Sequence, residues 1–160
     1  MHSPKEWCQN LALFLLIRRA APQHKEKDVM QRMAVNPWDW SVRVGYNQAE
    51  VIEGATRHLI CAGQAAVDGA GAPQHQGDMR GQIGLALDNL EQVLAAAGMT
   101  LGNVTRLVVY ATDVDAALRN FDVMGLRFAP HAVAPPLTLL GVTRLALPDL
   151  MFEIEAMAAA

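Results

Sequence analysis

Asp78-Met79-Arg80-Gly81-Gln82-Ile83-Gly84-Leu85-Ala86-Leu87-Asp88-Asn89-Leu90-Glu91-Gln92-Val93-Leu94-Ala95-Ala96-Ala97-Gly98 hands over, after five residues, to Val104-Thr105-Arg106-Leu107-Val108-Val109-Tyr110-Ala111-Thr112. In the first run Met79, Ile83, Ala86, Leu87, Leu90, Val93, Leu94 and Ala97 recur at three- and four-residue steps, so they share one face of a helix. Gln82, Asp88, Asn89, Glu91 and Gln92 take the remaining positions. Asp78 opens the helix, and Gly98 closes it by taking the left-handed conformation that satisfies the last carbonyls. Gly81 and Gly84 each cost up to about 1 kcal/mol against alanine, so something is expected to pack closely on that turn. The second run is a strand. Leu107, Val109 and Ala111 point one way, Val108, Tyr110 and Thr112 the other, and neither side is fully polar. A sheet covered on one face only alternates more cleanly, so the second face is expected to be covered by another copy of the chain.

Working outward, Asp115 to Phe128 reads as a second helix, with Leu118, Phe121, Met124 and Phe128 apolar and Asp115 near its start, where negative charge is favoured. Pro130, Pro135 and Pro136 interrupt the chain, and Leu137 to Val142 and Leu150 to Met157 follow as strands. In the last of these Met151, Glu153, Glu155 and Met157 alternate with Phe152, Ile154 and Ala156. Towards the N-terminus, residues 41 to 52 and 57 to 62 favour strands, with Glu53-Gly54-Ala55 as a tight turn between them. Asp68-Gly69-Ala70-Gly71 is a turn and not a phosphate cradle, because it lacks the strand-to-helix setting and the full glycine fingerprint. The order β-β-α-β-α-β-β describes a single α+β domain over residues 36–160, a mixed sheet with two helices on one face.

The composition agrees. With 160 residues, 52% apolar and 18% charged, the chain can bury a core unaided by metal or disulfide. A net charge of −3 gives no footprint for nucleic acid. Cys8 and Cys61 form no disulfide framework, which fits a reducing, cytoplasmic setting. Residues 1–35 differ from the rest: Lys5, Arg18, Arg19, Lys25, Lys27 and Arg32 outnumber Glu6, Glu26 and Asp28. The apolar run Leu11 to Ile17 is far short of the roughly 20 residues a membrane helix needs, and Arg18 and Arg19 follow it where a secretory signal wants its charges in front. These residues are expected to be a loosely ordered extension, or a leader ahead of a start at Met30 or Met33, and to be dispensable for folding.

Few residues have the pattern that chemistry requires. His2, His24, His58, His75 and His131 have no partner at ligand spacing, so no metal site and no cofactor are implied. Ser3 and Ser41 are the only serines and neither sits in a nucleophile elbow. Cys61 reads as a buried strand residue. Glu153 stands out as a carboxylate in a strand whose alternate face is apolar; by periodicity alone it is a solvated or edge carboxylate.

Three segments taken in order alter that reading: Gly45-Tyr46-Asn47-Gln48-Ala49, Cys61-Ala62-Gly63-Gln64 and Phe152-Glu153-Ile154-Glu155-Ala156. Together they resemble the reactive intermediate deaminase (RidA/YjgF) family, over about Val42 to Ala158. The resemblance implies a chorismate-mutase-like fold, a homotrimer with clefts between subunits, and hydrolysis of small imines or enamines to ketones and ammonia. It implies further that Glu153 orients the attacking water and that Tyr46, Gly63 and Asn120 contribute to the pocket, Asn120 with one residue deleted before it. Tyr46 lacks the proline that precedes it in the family segment. The deaminating members carry arginine in a Pro-Ala-Arg-Ser run, where this chain has Pro135-Pro136-Leu137-Thr138; Leu137 therefore takes the place of the group that grips a substrate carboxylate, with Thr138 and Leu139 beside it. The expectation is a deaminase whose substrate is less anionic than 2-iminopropanoate. The alternative is a trimer of the same fold that binds a small molecule without chemistry.

Overall fold

The computed structural model describes residues 29–160. Its centre is the helix Met79–Ala96 lying against the strands Val104–Ala111 and Phe152–Ala159. Asp78 caps the helix by accepting from the Gly81 N–H, and Gly98 ends it at φ +68°. The apolar stripe is buried as the spacing predicts: Ile83, Ala86, Leu87, Leu90 and Leu94 are fully enclosed with Leu107, Val109, Phe152 and Ile154. Gly81 does sit under a close neighbour, since a Cβ there would meet the Asp78 carboxylate at 2.6 Å and the His75 ring at 2.9 Å. Gly84 does not; its Cβ would enter open space.

The strands, in chain order, are β1 (Gln31–Val35), β2 (Ala49–Glu53), β3 (His58–Ile60), β4 (Gln64–Ala65), β5 (Val104–Ala111), β6 (Leu137–Gly141) and β7 (Phe152–Ala159). The main sheet runs β3-β7-β5-β6, with β4 also paired to β7; only β5 and β6 are parallel. The helices are α1 (Trp40–Arg43), α2 (Met79–Ala96), α3 (Val114–Arg119) and α4 (Asp122–Phe128). The expected α+β domain with a mixed sheet and helices on one face is what forms.

Within residues 36–160 three boundaries differ most from the sequence reading. Residues 40–43 are helical and not the start of a strand: Val42 and Val44 have strand-like alternation, but the Arg43 N–H reaches the Asp39 carbonyl at 3.3 Å and the two side chains pair. The helix Asp115 to Phe128 is broken into α3 and α4 at Asn120-Phe121, where Asn120 ends α3 with φ −116°. The strand expected over 57–62 forms only at His58–Ile60, and beyond Cys61-Ala62-Gly63 a further two-residue strand, Gln64–Ala65, pairs with the same β7.

The largest correction lies at the N-terminal boundary. Gln31–Val35, assigned above to the extension, is a strand paired antiparallel to β2. Arg32 explains it. Its guanidinium pairs with Glu50 and donates to the carbonyls of Gly102 and Val104, and both charged side chains are largely enclosed. Asn47 completes the cluster by donating to Glu50 at 2.9 Å. An ion pair taken out of water holds only where its remaining donors and acceptors are met, as they are here. The run Leu11 to Ile17, with Cys8, His2 and His24, lies outside the described residues.

Candidate functional site

Register divides the expected site residues between the two faces of the sheet. Leu107, Val109 and Ala111 of β5 stand opposite Leu137, Leu139 and Gly141 of β6 and Ala156, Ile154 and Phe152 of β7, all towards the helices. Val108 and Tyr110 stand opposite Thr138 and Leu140 on one side and Glu155 and Glu153 on the other, towards the open face. Within one chain, therefore, Glu153 and Thr138 do not share a surface with Leu137 and Leu139. The sequence reading grouped them; the period-two alternation of β6 and β7 separates them.

On the open face, Glu153 lies against Gly63. A Cβ on Gly63 would stand 1.8 Å from Oε1 of Glu153, so the carboxylate occupies space that only glycine leaves. Tyr110 is its cross-strand neighbour. The Tyr110 hydroxyl is pushed up from its ordinary pKa by desolvation, then by the charge and hydrogen bond of Glu155 and the charge of Glu153, with Arg106 opposing. It stays protonated at neutral pH and can donate. Cys61, at the turn before Gly63, is buried, and burial raises its pKa, so it is held as a thiol.

Two side chains of α2 hold this geometry in place. Gln82 is fully enclosed, although its position had placed it among the polar, outward residues. Its Nε2 donates to the carbonyls of His75 and Asp149, and its Oε1 accepts from the Met151 N–H at 2.6 Å, just ahead of β7. Asn89, seven residues on and on the same side, donates to the carbonyls of Ala65 and Val67 at 2.9 Å each. One residue fixes the entry to the Glu153 strand and the other the strand after Gly63. The only sequence signal for either was a polar amide beside the apolar stripe.

On the helix side a cleft of about 680 Å³ opens beside the edge strand β6. Leu137, Leu139 and Leu107 form its floor, Leu118, Phe121, Met124, Gly125 and Phe128 one wall, and Pro135 with Val44, Gly45 and Tyr46 the other. Tyr46 is set by an edge-to-face contact with Trp40 at 6.0 Å between ring centroids. Asn120 is not in the lining. Its amide donates to the Ala116 carbonyl at 2.9 Å, and its neighbours Leu118 and Phe121 face the cleft instead. Asp122 is the one charged lining residue, and both its oxygens accept from Arg80 at 2.8 Å. That guanidinium holds the Asp122 carboxyl below its ordinary pKa. Sequence reading had placed Phe121, Met124 and Phe128 in a packed helix face; the break at Asn120 is what turns part of that face into a cleft wall.

Among the described residues no group of three or more His, Cys, Asp or Glu is placed to hold a metal ion, and no helix is long and apolar enough to cross a membrane.

A family model described as endoribonuclease L-PSP matches residues 40–160. DfrA of Myxococcus xanthus is 32% identical over 108 residues, covering 67% of this chain and 79% of its own. TdcF of Escherichia coli, provisionally named a reactive intermediate deaminase, is 32% identical over 82 residues, 51% of this chain and 63% of its own. A crystal structure of E. coli TdcF with bound serine matches with TM-score 0.58 and 28% identity, over 72% of this chain and 87% of that one. YyfB of Yersinia pestis, from the conserved Rid protein family, matches with TM-score 0.71 and 32% identity, over 81% and 98%.

Proposed function

The chain belongs to the RidA/YjgF family, and from that premise we propose that it is a hydrolytic deaminase of a small imine or enamine. The observation that carries the reading is Glu153 lodged against Gly63, a carboxylate held by backbone shape on a strand whose other face is apolar. Hydrolysis of C=N asks for little: a water held in line, a proton for nitrogen, and a grip on the substrate. Glu153 orients the water and takes one of its protons as oxygen bonds to the imine carbon. Glu153 returns that proton to nitrogen as the C=N π bond opens. The added hydroxyl then gives up its own proton to nitrogen as the C–N bond breaks, and ketone and ammonia leave with the carboxylate restored. The balance is one imine and one water to one ketone and one ammonia, with no redox partner. Relatives named for deaminating reactive intermediates, and a TdcF structure with an amino acid bound, support this class of chemistry.

The separation of Glu153 from Tyr46, Leu137 and Leu139 across the sheet supports a site completed between copies, the cleft beside edge strand β6 of one facing the open sheet face of the next. The open face supplies the apolar surface such a contact needs, with Ile60 76% exposed and Leu140 and Met157 also uncovered. The assembly in this reading is a homotrimer.

A second reading, a binding protein without chemistry, is favoured by the cleft's lack of any free charged lining group. Ammonia release from imines generated in place by an amino-acid oxidase separates the two. The deaminase reading expects release that is lost in Glu153→Gln; no release above the uncatalysed rate from any imine, with ligand still bound, supports the second.

A further inference from the structure

We infer that the cleft beside β6 takes an uncharged ligand with a bulky apolar body, an aryl ring or branched alkyl group, and rejects a ligand with a carboxylate next to the reacting carbon. The inference rests on the deaminase reading only for the identity of the reacting C=N group. Its own basis is the lining. Leu137, Leu139, Phe121, Met124 and Phe128 present hydrocarbon, and the cleft, at about 680 Å³, has the size of sites for drug-like ligands, far more than a three-carbon imine fills.

Charge decides the rest. Asp122 is the only charged group in the lining, and it is an anion. The cation nearest to it, Arg80, has Nη1 and Nη2 committed to the two Asp122 oxygens at 2.8 Å each. A carboxylate entering here would shed its water and meet no cation on this chain, and the open face of a next copy would bring Glu153 and Glu155 against the single Arg106, the costly case for a desolvated charge. Tyr46 is among the lining residues, and its hydroxyl is of a kind that suits a neutral carbonyl or imine nitrogen. Gly125, on α4, lines the cleft with nothing within 4 Å of an added Cβ. A side chain there would project into open space, from a helical position where glycine is the poorer residue.

The test is calorimetric titration of the full chain with benzylacetone and with the α-oxo acid that has a carboxylate in place of the ketone's methyl group. Both are products of the proposed reaction, so neither is consumed. The ketone is expected to bind at least about tenfold more tightly, since a charged group left without its partner is penalised by that much or more. Gly125→Leu should abolish ketone binding without lowering the melting temperature, and Leu137→Arg should narrow or reverse the preference. Equal or tighter binding of the oxo acid, no binding of the ketone, or full binding by Gly125→Leu overturns the inference. Selective ketone binding with no ammonia release from any imine leaves it standing and removes the deaminase reading instead. Release from carboxylate-bearing imines without ketone binding does the reverse.

Discussion

Gly63 and Glu153 are fitted to one another: a Cβ on Gly63 would lie 1.8 Å from Oε1, 2.6 Å from Cδ and 2.9 Å from Cγ of Glu153. The clash is with the end of a side chain and not with backbone, so Gly63→Ala can be absorbed by swinging the carboxylate aside. The fold should survive and the geometry should not. A displacement of an ångström or so at a positioning group costs on the order of a hundredfold in rate. We expect Gly63→Ala to lower ammonia release by about that factor while the melting temperature moves by only a few degrees, on the order of 1 kcal/mol. Steady-state rates and thermal melts on the same preparation check it; a rate close to wild type would detach Glu153 from the chemistry.

Gln82 makes three hydrogen bonds to the backbone from a fully enclosed position. Gln82→Leu would fill the same space but orphan the Met151 N–H and the Asp149 carbonyl, while the His75 carbonyl keeps the Asp78 N–H at 2.9 Å. Each buried group left unpaired costs about 1–3 kcal/mol. A loss of roughly 3–5 kcal/mol, or about 6–20 °C in melting temperature for a chain of this size, is expected. Chemical denaturation should return that loss with an unchanged m-value, because the same surface is exposed on unfolding.

Arg32 and Glu50 tie the β1–β2 hairpin to the start of β5. Arg32→Met leaves an enclosed carboxylate without its cation, and breaking such a pair costs about 3–5 kcal/mol. A chain starting at Met33 should lose a similar amount, whereas one starting at Val29 keeps the pair. Equal melting temperatures for the two truncations would show that the hairpin contributes nothing to the fold.

The α2–β5 unit was legible because its two periodicities are long and uninterrupted, and Asp78 and Gly98 mark its ends by local chemistry alone. Glu153 and Gly63 were legible as motif positions, but their mutual fit depends on β4 and β7 pairing, which no local pattern encodes. Residues 40–43 misled because Val42 and Val44 alternate like a strand while their helical turn is held by an Asp39–Arg43 pair four residues apart. Arg32 was hidden for a different reason. In a basic stretch it counted as one more surface charge, and only the fold brings Glu50 and two free carbonyls to it. Gln82 and Asn89 show the same limit, since an amide beside an apolar stripe reads as solvated until the loops it clamps are in place.

The open sheet face predicts the assembly. Val108, Leu140, Ile60 and Met157 lie on or beside it, and an obligate interface of this kind buries roughly 2,000 Å² or more. Light scattering at micromolar concentration should return three times the 17.4 kDa chain mass. Ile60→Lys, at a 76% exposed position, should leave the isolated fold intact and shift the mass towards one chain. It should also remove activity, because the cleft and Glu153 would no longer meet.

The most direct test of the central claim is ammonia release by wild type and Glu153→Gln from a panel of enzymatically generated imines, with folding of both checked by thermal melts. Glutamine keeps the shape against Gly63 and removes the basic oxygen that takes the water's proton, and a general base contributes about a hundredfold to ten-thousandfold. The account predicts wild-type release strongest on imines with apolar bodies, and a loss in that range in Glu153→Gln at an unchanged melting temperature. Release by Glu153→Gln equal to wild type, on any imine the wild type hydrolyses, would contradict it.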